Sequence, residues 1–445
     1  MKQVIFIEWL SKGRDFEIDL PLIYFFEQIL KWDVKYISIF DLPKILSTNP
    51  DIVIMSNTTG ADVNLEIARW IEKSNILFFS HISEGMFREK DIEEFVWGWG
   101  KKEKYFSEIL SMVWSQNSYD MAIKAFPKLK QIYRVSGSVG FDKYKLFNFN
   151  KIDTKGYKKV IGYACFDFHN IYDKKEQYLK IKGKEWFVKF DKLPTKINHI
   201  LEKLVKENKD ILFLFKSHPG DGDKIPMEFK NLDKYNNCRL VDKEISIVDV
   251  ISNVDIWLNY NSSTNLEAWL LDKTTIAFNI DESTYSSDAL YGSIICDKVD
   301  ELQVYINEFY ENGKIAFFED KKLIRENLIS KYIGFADGLN HIRFMSFLKP
   351  YIEKIENGEI KKGKWNISFK RRLKGYTQYI VYTLAKGRYN TPLLKKWAHI
   401  YDMFSDDEVK QQKELRYKDF DIFYENNKEK IDDIYKNYAI DWKNN

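Results

Sequence analysis

Residues 254–279 read VDIWLNYNSSTNLEAWLLDKTTIAFN. The run VDIWLNY is apolar and short, and it ends in the polar loop Asn261-Ser262-Ser263-Thr264. NLEAWLLD (265–272) then has the character of a helix, and TTIAFN (274–279) is a second short apolar run. Strand, loop, helix and strand in that order imply parallel strands joined by a crossover, with helices covering both faces of the sheet. Working outward, KKVIGYA (158–164) and DILFLFKSHPG (210–220) repeat the apolar run that ends in a polar or small loop. NHILEKLVKEN (198–208) and the segment around Ile245–Ser252 supply further helices.

The first 150 residues follow the same rule. VIFIEW (4–9), VKYISIF (34–40), DIVIMS (51–56) and ILFFS (76–80) have the look of buried strands, and MVWSQ (112–116) and IYRVSGS (132–138) continue the series. PLIYFFEQILKW (21–32) and ADVNLEIARWIEK (61–73) have helical spacing between them. The fold class expected is therefore α/β, two Rossmann-type parallel-sheet domains in series followed by a helical tail. The polar, poorly periodic FNFNKIDTKGY (147–157) marks the boundary. The division expected is 1–150, 151–350 and a basic, aromatic extension over 351–445.

Length and composition agree. The 445 residues correspond to two or three domains at roughly 150 residues each. They are 44% hydrophobic and 30% charged, enough apolar material for packed cores and against a wholly disordered chain. No run approaches the roughly 18 apolar residues that span a bilayer. MKQVIFIEWLSKGRDFEID lacks the features of a secretory signal, and Cys165, Cys238 and Cys296 are odd in number and widely spaced, so neither a disulfide framework nor a zinc knuckle is indicated. The expected location is cytoplasmic.

The net charge of +3 hides an asymmetry. Residues 361–400 hold eleven Lys and Arg and no Asp or Glu, interleaved with Trp365, Tyr376, Tyr379, Tyr382 and Trp397. Cations with amphipathic aromatics suit an anionic membrane surface, which makes a peripheral place on the inner face of the cell membrane the expectation. The same mixture suits nucleic acid, although nothing else in the chain is basic, so no nucleic-acid partner is expected. The remaining alternative is a solvated helical face packed on the main body.

In open parallel sheets, ligands bind beyond the carboxyl ends of the strands, so the residues just after each strand carry the functional reading. After LFLF come Lys216-Ser217-His218-Pro219-Gly220. A His held by a Pro-fixed turn can donate to a phosphate, and Lys216 adds positive charge. After DIWLNY, the hydroxyls of Ser262, Ser263 and Thr264 stand at a helix start where an anion is favoured, and Glu267 lies one turn on, placed to accept from a ribose hydroxyl. Each has a plainer reading, a loop-capping His and a Ser/Thr helix cap. Together, at the ends of neighbouring strands, they point to one phosphate site. In the first half, ILFFS opens into His81-Ile82-Ser83-Glu84-Gly85, where Glu84 or His81 can act as a general base on a hydroxyl and Gly85 allows close approach, the alternative being a surface turn. SGSVGFD (136–142) fits neither the dinucleotide fingerprint nor a P-loop and looks like an interdomain hinge. Cys165 has no partner base in sequence, and the six histidines make no i, i+4 pair, so no metal site and no cofactor is expected.

Glu84-Gly85, His218-Pro219 and Ser262-Ser263, in that order, resemble the acidic-Gly, His-Pro and Ser-Ser/Thr motifs of bacterial sialyltransferases and polysialyltransferases. A similar His-Pro and Ser-Ser pair occurs in Kdo transferases and in CDP-glycerol glycerophosphotransferases. Residues 254–279 are similar to the nucleotide-binding stretch of GT-B-fold glycosyltransferases and of UDP-N-acetylglucosamine 2-epimerases. Residues 332–347, with Ala336-Asp337-Gly338 and Arg343, and residues 136–144 resemble other parts of surface-carbohydrate biosynthesis proteins. Two positions depart from the pattern: Ser83 stands where many relatives carry a second acid, and Gly140 where the hinge often carries Arg.

The resemblance implies a GT-B fold with two domains facing a cleft, and a metal-independent glycosyltransferase. Such an enzyme moves a sugar from a nucleotide-activated, CMP-linked donor to a hydroxyl of a surface polysaccharide, capsule, lipopolysaccharide or lipid-linked glycan. His218 and Lys216 would stabilise the donor phosphate, Ser262, Ser263 and Thr264 would bind it, Glu267 would hold the ribose, and Glu84 or His81 would deprotonate the acceptor. The alternatives are a CDP-polyol phosphotransferase of the same fold, a 2-epimerase-like isomerase, and a non-catalytic membrane-associated scaffold.

Overall fold

The computed structural model describes residues 1–8, 14–56, 58, 62–98, 103–218, 221, 224–243, 245–260, 262–278, 290–296, 298–385 and 406–444. The chain forms two compact units. One comprises Met1–Phe147 with Ser330–Asn445, the other Asn148–Ile329.

The first unit is built on six parallel strands: β1 (Gln3–Glu8), β2 (Asp33–Ser38), β3 (Ile52–Ser56), β4 (Leu77–His81), β5 (Leu110–Val113) and β6 (Tyr133–Val135). Their order is β2-β1-β3-β4-β5-β6. The second unit repeats the plan with β7 (Lys159–Ala164), β8 (Ile211–Lys216), β9 (Cys238–Val241), β10 (Ile256–Asn259), β11 (Thr274–Phe278) and β12 (Ile294–Cys296), in the order β12-β11-β10-β7-β8-β9. Among the described residues, every strand pairing is parallel. The apolar runs of the sequence are these strands, because a parallel sheet buried on both faces needs apolar residues at successive positions rather than alternate ones. Ile5, Ile7, Val53, Met55 and Phe78 pack with Ile67 and Ile71 of the helix Asp62–Lys73 on one side of the first sheet. In the second unit Trp257 lies so close to β7 that a Cβ at Gly162 would come within 2.5 Å of its indole.

Three features differ from the sequence expectation. β9 and β12 are short edge strands of four and three residues, and so brief a run carries no readable period. The helix expected over 21–32 starts earlier, at Arg14, and the chain widens into a π-helical turn over Phe25–Ile29 before β2. Residues 330–350, expected in the second domain, and the extension 351–445 belong to the first unit.

The reason for that last difference is a set of buried polar anchors. Asp142, fully buried, accepts from the backbone N–H of Asn340 at 3.0 Å, the N–H of His341 at 2.8 Å and His341 Nδ1 at 2.7 Å. His341 Nε2 meets the Tyr424 hydroxyl at 2.9 Å. The helix Asn340–Glu356 packs against Lys428–Asn444, where Ala439 N donates to Ser346 Oγ and the Tyr438 hydroxyl to the Val135 carbonyl. Tyr24 stacks on Phe420 of the helix Asp406–Asn426 and donates to Asp421 at 2.6 Å. Arg343 holds Asp337 through two hydrogen bonds, with Lys430 at 3.0 Å. Burial by itself would raise the Asp337 carboxyl, but Arg343 and Lys430 outweigh it and hold it below the ordinary carboxylate range. Among the described residues, no helix is long and apolar enough to cross a membrane.

Replacing Asp142 by Ala strands two buried N–H groups and an imidazole nitrogen. A loss of about 3–5 kcal/mol is expected in urea unfolding of the variant; a loss below about 1 kcal/mol contradicts the anchor.

Candidate functional site

Each sheet has one crossover point, where the chain leaves a central strand first to one side and later to the other. In the first unit it lies between β1 and β3, in the second between β7 and β10. Crevices at such points are where open α/β sheets take ligands.

At the first crossover, Glu8 ends β1, Ser56 ends β3 and His81 ends β4. Ser56 and His81 are partners in register, and continuing the Phe6–Ile54 register puts Glu8 beside Ser56. Glu8 accepts from Ser56 N at 2.7 Å and from the Ser56 hydroxyl. Asp19, from the helix Arg14–Tyr24, meets His81 Nε2 at 2.8 Å. All three ionisable groups are buried. Burial, and then the charge of Asp19, raises the Glu8 carboxyl well above its ordinary value. Burial, and then the charge of Asp15, raises Asp19 likewise. Burial lowers His81 despite the nearby Glu8 and Asp15. The physical consequence is a dry group of two carboxyls and an imidazole in which burial favours the neutral form of each, protonated for the carboxyls and deprotonated for the ring. Among the described residues, Glu8, Asp19 and His81 are the set of metal-ligating side chains whose ligand atoms lie within 4.8 Å of one another. The sequence reading found only His81. Glu8 was hidden inside an apolar strand, and Asp19 lies 62 residues from its partner. Glu84 is exposed on the loop after β4, while His81 is buried, so the two base candidates occupy different environments.

At the second crossover, Ala164 is in register with Asn259 on one side and Lys216 on the other. Just past these ends, His218 Nδ1 lies 3.3 Å from Asp167 Oδ1, and the His218 side chain keeps 43% of its exposure. His218 N donates to Asp221 Oδ2 at 3.1 Å. Behind them, Glu228 accepts from Phe166 N at 2.6 Å, and burial pushes its carboxyl up to about 8. Asp221 is also raised by burial. Asp167 Oδ1 is buried and makes no hydrogen bond at this distance, so it faces the ring as a neighbouring carboxylate, while the His218 ring keeps access to solvent. Asp167 is the residue sequence reasoning missed; its signal was its place just after β7.

The other expected residues lie close by. Ser262 Oγ accepts from Thr264 N at 3.2 Å and Thr264 Oγ1 at 2.9 Å, and Thr264 Oγ1 accepts from Trp257 Nε1 at 2.9 Å. Ser262 is thereby held to the first residue of the helix Thr264–Leu270, whose N-cap position is Ser263 without a side-chain cap bond, in a chain of bonds anchored by a buried indole. Ser263 is exposed and Glu267 half-buried. The ammonium of Lys216 donates to the carbonyls of Asp242, Lys243 and Ile245 at 3.1, 3.0 and 2.6 Å. That uses the three donors of a lysine to clamp the loop after β9. Pro219 lies outside the described residues. Cys165 is buried, and burial raises its thiol well above the ordinary value, which makes it unreactive.

No protein-family model and no curated protein matches the chain. Solved structures do. A Staphylococcus aureus MnaA–UDP co-structure is 13% identical, with a TM-score of 0.52 over 82% of this chain and 100% of that one. A putative UDP-N-acetylglucosamine 2-epimerase from Listeria monocytogenes is 10% identical, with a TM-score of 0.53 over 83% and 100%. Another structure titled UDP-N-acetylglucosamine 2-epimerase is 12% identical, with a TM-score of 0.52 over 83% and 100%. At these identities the likeness establishes the fold, the GT-B-like pair of Rossmann-type domains. Two of the three structures are described as 2-epimerases, which the sequence reading kept as an alternative, and none as the transferases of its first reading.

The first crossover has a stability signature. The folded protein binds the Glu8 and Asp19 protons more tightly than the unfolded chain, so their contribution is full below about pH 4 and is lost as pH rises through the raised folded values. His81 acts oppositely, contributing fully above about pH 6.5 and losing its contribution as pH falls through its lowered folded value. Glu8→Gln is expected to flatten the alkaline fall in urea-unfolding stability; an unchanged slope contradicts the assignment.

Proposed function

We propose that the protein is an enzyme acting on a nucleotide sugar, with the nucleotide taken by the second unit at the β7–β10 crossover. The observation that carries this reading is the Asp167–His218 pair at the carboxyl ends of β7 and β8, on a fold shared along the full length of its structural neighbours. In this reading His218 donates to the phosphate of the nucleotide, Asp167 orients it, and the Ser262–Thr264 loop lines the same crevice with hydroxyl and backbone donors. Glu267 accepts from the ribose. Lys216 would reach a phosphate only by releasing its three carbonyls, so we give it the lesser role of shaping the loop after β9.

Among the finer readings we favour isomerisation of a UDP-linked N-acetylhexosamine, because two of the structural neighbours are described as UDP-N-acetylglucosamine 2-epimerases. Inverting a carbon that bears hydrogen requires a base to remove that proton and an acid to return one on the opposite face. Glu84 is our base candidate, since it has solvent access. His81, closed in with Asp19, positions the end of β4 instead. Transfer of the sugar to a glycan hydroxyl is the second reading, favoured by the order of the Glu84-Gly85, His218-Pro219 and Ser262-Ser263 motifs.

Incubation with UDP-N-acetylglucosamine in excess EDTA, followed by NMR, is expected to show a second UDP-sugar without added acceptor. Consumption only with an acceptor glycan would favour transfer, and no turnover with any nucleotide sugar would contradict the proposal. His218→Ala is expected to lower turnover by about 10²-fold or more with unfolding unchanged. Asp167→Asn is expected to cost about tenfold and to shift the pH–rate profile. Wild-type rates in both variants would remove the site from this crossover.

A further inference from the structure

The chain is longer than its structural neighbours, which it covers completely while 17–18% of its own length stays uncovered. One described segment of unusual character is the strap 361–368 with the helix Phe369–Ala385. The strap lies against the first unit. Lys364 N donates to the Ser74 carbonyl at 3.2 Å, Asn366 N to Ser74 Oγ at 2.8 Å, and Trp365 packs against the core beside β2 and β3. The helix then uses one face to continue this contact. Gly375 presses on Leu42, where a Cβ would not fit. Arg371 pairs with Glu66 and lies over the Trp70 ring at 5.2 Å. Arg372 donates to the carbonyls of Ile367 and Trp365.

The opposite face has a different composition. Phe369, Leu373, Tyr376 and Ile380 are 79%, 57%, 46% and 54% exposed. Their spacing of four, three and four residues gathers them into an arc of about 60° at 100° per residue. Gly375 and Arg371 fall well away from that arc, on the packed face. Lys370, about 60° beyond one end of the arc, edges the apolar stripe, and Lys374, about 100° beyond that end, is exposed on the flank towards Arg371; Lys361, Lys362 and Lys364 precede the helix. Of these, Lys362 is paired to Asp51 at 3.0 Å. Residues 361–385 contain seven Lys or Arg and no Asp or Glu.

We propose that the Phe369–Ala385 helix docks this protein on an anionic lipid surface, its Phe369-Leu373-Tyr376-Ile380 stripe entering the headgroup boundary and its lysines meeting lipid phosphates. A helix with one firmly packed face and an opposite face of large exposed apolar residues edged by lysine has the pattern of an interfacial helix. Charge decides the partner class: a run of cations without a single acid is complementary to an anionic leaflet. The aliphatic members of the stripe, Leu373 and Ile380, separate this surface from a nucleic-acid face, where stacking aromatics and phosphate contacts suffice. The docking involves the first unit alone and is independent of what the second unit binds.

The test is co-sedimentation of the full chain with phosphatidylcholine vesicles, with and without about a third phosphatidylglycerol, at low and at about 0.5 M salt, where screening is strong. Binding to the anionic vesicles is expected to exceed that to neutral ones by about tenfold or more and to fall at high salt. Leu373→Glu with Ile380→Glu is expected to abolish it. Lys370→Glu with Lys374→Glu is expected to weaken it about tenfold or more. Both pairs are on exposed positions, so thermal unfolding and nucleotide binding should match the wild type. Equal binding to neutral vesicles, no vesicle binding, or unchanged binding of both variants would overturn the proposal. Two further outcomes would also overturn it. One is a single-stranded oligonucleotide bound in place of vesicles. The other is a dimer that Leu373→Glu with Ile380→Glu converts to monomer without any change at vesicles.

Discussion

Much of the first unit depends on one buried carboxylate. Asp142 has no solvent to hydrate it, and its oxygens are taken by the N–H groups of Asn340 and His341 and by the His341 ring, about 200 residues further along the chain. A buried side chain this well satisfied leaves the chain little choice of where residue 340 must lie. The polypeptide therefore leaves the first unit after Phe147, builds a second one, and returns. The returning segment then lays its aromatic helices against the first unit, where Tyr24 makes ring contacts with both Phe420 and Tyr424. The strap and helix over 361–385 come after this return and are held to the first unit by their own contacts with Ser74, Leu42 and Glu66.

The two crossover sites use buried acids in contrasting ways. At β1–β3 the acids are sealed in with His81, and the low-dielectric surroundings favour their protonated forms. At β7–β10 the acids stand behind a histidine that stays half-exposed: Asp167 on its ring, Asp221 on its backbone, Glu228 on the strand end beneath it. The first arrangement suits holding a strand end in place, the second presenting an oriented imidazole to a ligand. This difference in exposure, more than any difference in residue type, is why the nucleotide is assigned to the second unit.

The sheets were legible in the sequence because central parallel strands are apolar at successive positions, as VIFI, IVIM, ILFLF and IWL are. The strands Cys238–Val241 and Ile294–Cys296 were not, since four and three residues are too few to carry a readable period. His218 and Ser262 stood out by following a strand, and Asp167 followed one equally but sat in an unremarkable Phe-Asp-Phe. Glu8 and Asp19 were invisible as a pair, because nothing local marks a polar residue whose partner arrives from another element. In the tail, composition identified a surface seeking anions. It did not reveal that Arg371 and Arg372 would turn inward while Phe369, Leu373 and Ile380 turned out, which depends on where Leu42 and Glu66 lie.

Hydrogen exchange of the full chain with and without UDP-N-acetylglucosamine tests the central claim most directly. The account predicts slowed exchange concentrated at the strand ends of the second unit, in segments 165–170, 216–218 and 260–267, and lost in His218→Ala. Slowed exchange confined to the first unit, or none at saturating ligand, would contradict it.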